Sequence, residues 1–153
     1  MKKIAVFGLV FIFAAVVNLY AENFTRDDAV NLTEKAVELI LSKGIDNSRD
    51  LLHDQSGEYI KGGGELYVSV VDFNGVWLAY APRPKGVGKS VLNVKDPDGV
   101  YLVQELIKTA KEKGSGWVKY RWLNPKSGKI ENKEAYVKRV GNLDMYASVG
   151  IYK

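Results

Sequence analysis

The sequence predicts an α+β domain with a five-stranded antiparallel sheet and helices largely on one of its faces. Three observations predict this class. Apolar residues recur at helical spacing after Thr25 and again after Asp96, five later segments fit strands, and Asn74-Gly75 is a strong hairpin turn signal between the first two strands. The expected order is a long N-terminal helix, two strands, a loop with a crossing helix, and three strands.

The N-terminal helix is predicted to begin after Thr25 and to end at Gly44. Asp28 stands three residues after Thr25, which is the capping-box spacing. The helical apolar stripe consists of Ala29, Leu32, Ala36, Leu39 and Ile40. A weaker helical stretch is predicted over residues 45–54.

The strands are predicted over residues 66–73, 76–81, 117–123, 134–140 and 145–152. The crossing helix between strands two and three has Asp96 as its expected N-cap, Pro97 in the first turn and Gly114 at its end. The Asp96, Asp98, Gly99 group faintly resembles a calcium loop, but the bidentate acid that such loops carry downstream is missing. We therefore interpret the group as a cap and turn, and we expect no metal site.

Residues 1–21 have the pattern of a secretory signal peptide. Met1-Lys2-Lys3 is a short positive segment, residues 4–17 are almost wholly apolar, and Ala21 offers a small residue for cleavage. The alternative is an uncleaved N-terminal anchor. Cleavage would leave residues 22–153 as one domain, and the formal net charge of +4 would fall to +2 without the two leader lysines.

The composition argues against catalysis and against nucleic-acid binding. His53 is the single histidine, the chain has no cysteine, and no Gly-x-Ser-x-Gly elbow occurs. The Asp27-Asp28 pair belongs to a first helical turn, where carboxylates complement the helix dipole. We expect no catalytic residue and no cofactor, and the small positive surplus does not predict a nucleic-acid partner.

A series of short motifs in the second half of the chain resembles the single Cache domain of type two. They are Ala81-Pro82 after the hairpin, Gly88-Lys89, residues 96–99, Gly116-Trp117, Trp122, Asn124-Pro125, Tyr136-Val137-Lys138 and Gly150-Ile151-Tyr152. The resemblance implies a PAS-like extracellular fold that binds small molecules, often short organic acids, between its central sheet and the segment of loop and helix. Family members often have a histidine before the hairpin proline, where this chain reads Tyr80-Ala81-Pro82.

The strand over residues 117–123 suggests how such a ligand is bound. Val118, Tyr120 and Trp122 share one face of this strand, and Tyr136 and Lys138 share one face of its neighbour. If hairpin pairing aligns these two faces on the inner side, the Lys138 ammonium lies among aromatic rings and suits a carboxylate. The alternative is that Lys138 pairs with an internal acid or reaches solvent past its own stem.

The candidate ligand-binding residues are Lys138, Tyr136, Tyr120, Trp122, Tyr80 and Tyr101. Tyr80 ends the second strand, and Tyr101 is expected on the crossing helix. Core packing is the alternative for each aromatic residue, and we assign Trp77 and Trp117 to packing alone.

The sequence therefore predicts a stand-alone secreted or periplasmic domain that binds a small carboxylate for signal sensing or ligand presentation. The candidate partners are a membrane receptor or kinase and a second copy of the chain, docked through the N-terminal helix. Two alternatives remain: an interaction protein with a degenerate pocket, and an unrecognised hydrolase. A pocket lined by polar groups from several elements would favour ligand binding over the interaction role.

Overall fold

The computed structural model describes residues 23–153. The predicted signal peptide, residues 1–21, lies outside this range. The helices are α1 (Arg26–Lys43), α2 (Ile45–His53) and α3 (Leu102–Lys113), with a short 3-10 turn at Pro84–Gly86. The strands are β1 (Ile60–Lys61), β2 (Leu66–Asp72), β3 (Trp77–Tyr80), β4 (Ser115–Leu123), β5 (Ile130–Arg139) and β6 (Met145–Tyr152).

The strands form one antiparallel sheet in the order β1-β2-β6-β5-β4, with β3 also paired to β2. The predicted α+β class and the crossing helix between the hairpin and the last three strands are confirmed. The sheet has six strands where five were predicted. The additional strand, β1, is two residues long and therefore too short to produce a periodic sequence signal.

The helices lie on both faces of the sheet, so the expectation that they lie largely on one face is wrong. On one face, Leu66, Val68 and Val70 of β2 belong to the same apolar cluster as α1. On the other face, Val118 and Val137 pack with α3. Strands β2 and β6 are buried nearly throughout, because each is covered from both sides.

The start of α1 is the capping box that the sequence predicts. The Thr25 side chain accepts a hydrogen bond from the backbone N–H of Asp28 at 3.2 Å, and the Asp28 carboxylate accepts one from the Thr25 N–H at 2.8 Å. These bonds satisfy two N–H groups that the helix itself leaves unpaired. Gly44 ends the helix with a φ of 77°, a conformation that glycine adopts without strain.

Helix α3 begins at Leu102, so the expectation that Asp96 caps it is wrong. The buried Asp96 carboxylate instead accepts hydrogen bonds from the backbone N–H groups of Asp98 and Val100, at 3.0 and 2.8 Å. It accepts a third from the N–H of Arg121 in β4, at 3.0 Å. Asp96 therefore fastens the loop before α3 to the edge of the sheet.

None of the helices within residues 23–153 combines the length and the apolar composition that a membrane crossing requires.

Candidate ligand-binding site

A cavity of about 50 Å³ lies between the sheet and α3, beneath the loop that leads into that helix. Space of this size holds roughly three to five water molecules, which corresponds to a small ligand of a few heavy atoms. Its lining comes from five strands, the loop and the helix: Tyr67, Ser69, Val71, Trp77, Tyr80, Val91, Val94, Leu102, Val103, Leu106, Tyr120, Trp122, Lys133, Tyr146, Ser148 and Gly150.

Aromatic rings form much of the wall on the sheet side. Trp77 and Tyr80 stack with ring centroids 4.3 Å apart and planes 9° from parallel. Tyr67 meets Tyr80 edge to face at 5.6 Å, and Tyr120 meets Trp122 in the same manner at 6.4 Å. Such contacts fix the orientation of rings that already bury a large apolar area. The ring orientations in this wall are therefore set by contacts between the aromatic residues themselves.

The Lys133 ammonium is the charged group of this cavity. Lys133 is 2 % exposed, and its Nζ donates hydrogen bonds to the hydroxyls of Tyr67 at 2.9 Å and Tyr152 at 3.0 Å. The same nitrogen lies 4.0 and 4.2 Å from the centroids of these two rings. Within residues 23–153, none of the ion pairs includes Lys133.

Burial lowers the pKa of Lys133 well below its ordinary value, because the charged form loses its hydration. The field of Glu65 opposes this effect but does not cancel it. A carboxylate inside the cavity would supply the missing counter-charge.

The two tyrosines that contact Lys133 remain neutral hydrogen-bond groups. Burial raises the pKa of the Tyr67 hydroxyl, and it also raises that of Tyr152. Tyr152 donates its own proton to the carbonyl oxygen of Leu123 at 2.8 Å, which leaves its oxygen free to accept from Lys133. The ammonium is thus held in place by neutral oxygens.

Two further hydroxyls face the cavity from β4 and β6. Burial raises the pKa values of Tyr120 and Tyr146, so both remain protonated donors. Within residues 23–153, neither hydroxyl forms a hydrogen bond. In the same range every fully buried side-chain polar atom has a hydrogen-bond partner, so these two hydroxyl oxygens are not fully buried. Because both residues line the cavity, their hydroxyls are candidate donors to a ligand.

The family model of Single Cache domain 2 matches residues 22–153. The chain belongs to the single Cache domain 2 family. The resemblance seen in the sequence motifs is thereby confirmed.

A curated relative of this Cache domain is the Sensor histidine kinase MctS of Rhizobium johnstonii. The two are 31% identical over 90 residues, which is 59% of this chain and 19% of the kinase. The chain therefore spans about a fifth of the length of that relative.

Solved structures of chemotaxis sensor domains have the same fold. A Cache chemosensory domain described for carboxylic acid recognition matches with a TM-score of 0.70 at 21% identity, over 82% of this chain and 91% of that one. A methyl-accepting chemotaxis protein from Vibrio parahaemolyticus matches with a TM-score of 0.69 at 19% identity, over 82% and 86%. A periplasmic sensor domain of a chemotaxis protein gives 0.66 at 24% identity, over 80% and 91%.

Three of the six residues predicted for the site line the cavity of this Cache domain: Tyr80, Tyr120 and Trp122. Tyr101 does not line it. Tyr101 precedes the first residue of α3, is exposed, and has the Lys95 ammonium 4.5 Å from its ring centroid.

Tyr136 and Lys138 lie on the opposite face of the sheet, next to α1. Lys138 forms an ion pair with Glu34 of α1, and the Tyr136 ring packs 5.4 Å from that of Trp117. The predicted inner alignment of Tyr136 and Lys138 with Tyr120 is therefore wrong. The structure has the alternative arrangement named above, in which Lys138 pairs with an acid of the same chain, Glu34.

The pairing of β4 with β5 explains the difference. Tyr120 lies opposite Lys133, and Trp117 lies opposite Tyr136. Because side chains alternate between the two faces, this register puts Lys133 on the face of Tyr120 and puts Lys138 on the other. The predicted chemistry, a lysine among aromatic rings, is present with a different lysine.

Lys133 and Tyr67 are the main residues that sequence reasoning missed. The sequence does contain a signal for Lys133. Ala135 and Val137 are apolar and mark the inward face of β5, and Lys133 lies on that same face because side chains alternate along a strand. Trp117 packs with the α1 core as predicted, whereas Trp77, also assigned to packing alone, borders the cavity.

Proposed function

We propose that this Cache domain binds a short organic acid and serves in signal sensing or ligand presentation. The observation that carries the proposal is the buried ammonium of Lys133, a residue that lines the cavity and has no ion-pair partner within residues 23–153. A buried ammonium without a counter-charge is costly. A hydrogen bond to a charged partner contributes roughly 1.5–3 kcal/mol, and a carboxylate supplies such a partner.

The size and the lining of the cavity support a small acid over a large one. About 50 Å³ of free space admits a small acid of only a few heavy atoms in total. Val94, Leu102 and Leu106 offer a short apolar wall for the remainder of such a molecule. Tyr120 and Tyr146 would donate hydrogen bonds to its oxygens.

Similarity to known sensors agrees with this proposal. The matched Cache chemosensory domain is described as recognising carboxylic acids, and the curated relative is a sensor kinase. By analogy, we propose a membrane receptor or a kinase as the recipient of the signal. An N-terminal leader, residues 1–21, would deliver the domain to the periplasm.

The test is calorimetric titration of the purified domain with acetate, propionate and pyruvate. Lys133→Met keeps most of the stem but removes the charge, so it should raise Kd by about one to two decades. Lys138→Met is the matched control on the same strand. Its partner Glu34 is about a third exposed, so this variant should bind like the parent and lose little stability.

A thermal melting screen provides an independent check. An acid at a hundredfold excess over Kd stabilises the folded state by roughly 2.7 kcal/mol, which raises Tm by an amount on the order of 10 °C for a domain of this size. If no small acid shifts Tm and Lys133→Met leaves every titration unchanged, the proposal is wrong, and an interaction protein with a degenerate pocket becomes the better interpretation.

A further inference from the structure

The Lys133 side chain crosses a neighbouring strand to reach the cavity. Lys133 belongs to β5, whereas Tyr67, whose hydroxyl it contacts, belongs to β2, and β6 lies between these two strands. Gly150 is the β6 residue beneath the crossing. It pairs with Ala135, two positions from Lys133 on the same face of β5.

Gly150 leaves the space that the lysine stem occupies. A Cβ added at Gly150 would lie 3.2 Å from both Cγ and Cδ of Lys133 and closer still to Cε. Carbon atoms in favourable contact stay about 3.5–4.0 Å apart, so a side chain here would overlap the stem along its length. The backbone does not demand glycine at this position, because Gly150 is not one of the glycines with positive φ.

We infer that Gly150 is a positioning residue for Lys133: the absence of a side chain at this position lets Lys133 lie across β6 and brings its ammonium between Tyr67 and Tyr152. The inference rests on the proposed function of Lys133 as the partner of an acid. A side chain at position 150 would lift the stem from the sheet and carry the ammonium away from both hydroxyls.

The first experiment compares Gly150→Ala with Gly116→Ala in the purified domain. Gly116 is also a strand glycine without positive φ, and its added Cβ would meet the Thr109 methyl at 2.8 Å, outside the cavity. Both variants carry a steric cost. Gly150→Ala should raise Kd for acetate, propionate or pyruvate at least about tenfold, and Gly116→Ala should leave it unchanged. An unchanged Kd in Gly150→Ala would overturn the inference.

The second experiment needs no ligand. The NMR signal of the Lys133 side chain is assigned as the lysine signal that is absent from the spectrum of Lys133→Met. In Gly150→Ala this signal should move toward that of a solvated lysine and should titrate at a higher pH. If no acid binds the parent but this signal moves, the proposed function fails and the positioning role stands. A signal that stays in place refutes the positioning role, whatever the acids do.

A third measurement separates lysine displacement from simple filling of the cavity. Lys133→Ala removes the stem, so Gly150→Ala should cause no further loss of binding in that background. An equal further loss would mean that the methyl group occupies the ligand's own space, which contradicts the inference. If Gly150→Ala alone does not fold, the Lys133→Ala/Gly150→Ala double variant should fold because the overlap is gone. A double variant that stays unfolded would also contradict it.

Discussion

The Lys133 ammonium is held by two neutral hydroxyls in a buried position. Its folded-state pKa lies below that of a free lysine, so the unfolded chain binds more protons than the folded one between these two pKa values. Stability of the ligand-free domain should therefore rise as pH increases through this window, because stability rises wherever the unfolded state carries the excess of protons. An acid in the cavity would raise the pKa again, because an opposite charge favours the ammonium.

This coupling predicts that binding of a carboxylate takes up a proton. The uptake should occur between the lowered pKa of the free domain and the raised pKa of the complex, and affinity for the acid should fall as pH rises through that range. Calorimetry in two buffers with different heats of ionisation measures the uptake directly. Lys133→Met is the control and should show none. A parent protein that binds an acid with no net proton uptake at any pH across this range would contradict the prediction.

At the scale of elements, Asp96 connects the loop before α3 to β4 at the edge of the sheet through three backbone N–H groups. Burial acts to raise the pKa of Asp96, but the N–H donors of Arg121, Val100 and Asp98 outweigh it, and the pKa lies below its usual value. The carboxylate therefore stabilises the fold above its unfolded-state pKa, and this contribution is lost as pH falls through the folded-state pKa. Asp96 thus contributes to holding the loop over the cavity, beside the hydrogen bonds from Val91 to Gly75 and from Gln104 to Leu92.

Asp96→Asn should destabilise the domain, because the amide NH₂ must face at least one backbone donor. The expected loss in the free energy of unfolding is about 1–3 kcal/mol at neutral pH, measured by urea denaturation. Asp98→Asn is the comparison, since the Asp98 side chain is 59% exposed and its contact with Arg121 is long, at 3.4 Å. That variant should stay within about 0.5 kcal/mol of the parent. If the two substitutions lower the free energy of unfolding equally, the hydrogen bonds of Asp96 do not stabilise the domain as proposed.

The elements themselves were largely predictable, and the pairing of two of them was not. Helix α1 and strand β6 follow from local periodicity and capping, which a sequence displays directly. The first half of β5 does not, because residues 130–134 are mostly polar and resemble a loop. The loop between β4 and β5 closes with Leu123 opposite Ile130, and this pairing sets the register. Two of the six predicted site residues, Tyr136 and Lys138, therefore fell on the wrong face.

On the scale of the whole molecule, both ends of the described chain meet at one carboxylate. Glu134 accepts two hydrogen bonds from Arg26 at the start of α1, at 3.1 and 3.0 Å, and pairs with Lys153 after β6 at 2.8 Å. Burial alone would raise the pKa of Glu134, but the two cations hold it below its usual value. These ion pairs hold the beginning of α1 against the end of the sheet.

Export is the prediction that concerns the chain as a whole. Cleavage of the proposed leader should give a mature protein that begins at about Glu22 in the periplasmic fraction of expressing bacteria. Intact-mass measurement of that fraction checks it. A membrane-bound protein whose mass retains residues 1–21 would indicate the anchor instead.

Lys133 and Glu134 are consecutive residues of β5 whose side chains lie on opposite faces of the sheet, and this has a practical consequence. Any movement of the backbone at these two positions alters the cavity and the shared ion pairs together. Asn23 and Lys153 border the same surface recess, so a fluorophore and a contact quencher attached near them would report separation of the chain ends as a rise in emission. If a ligand displaces the backbone at Lys133 and Glu134, this emission would report occupation of the cavity without a label on the ligand or any substitution in its binding site.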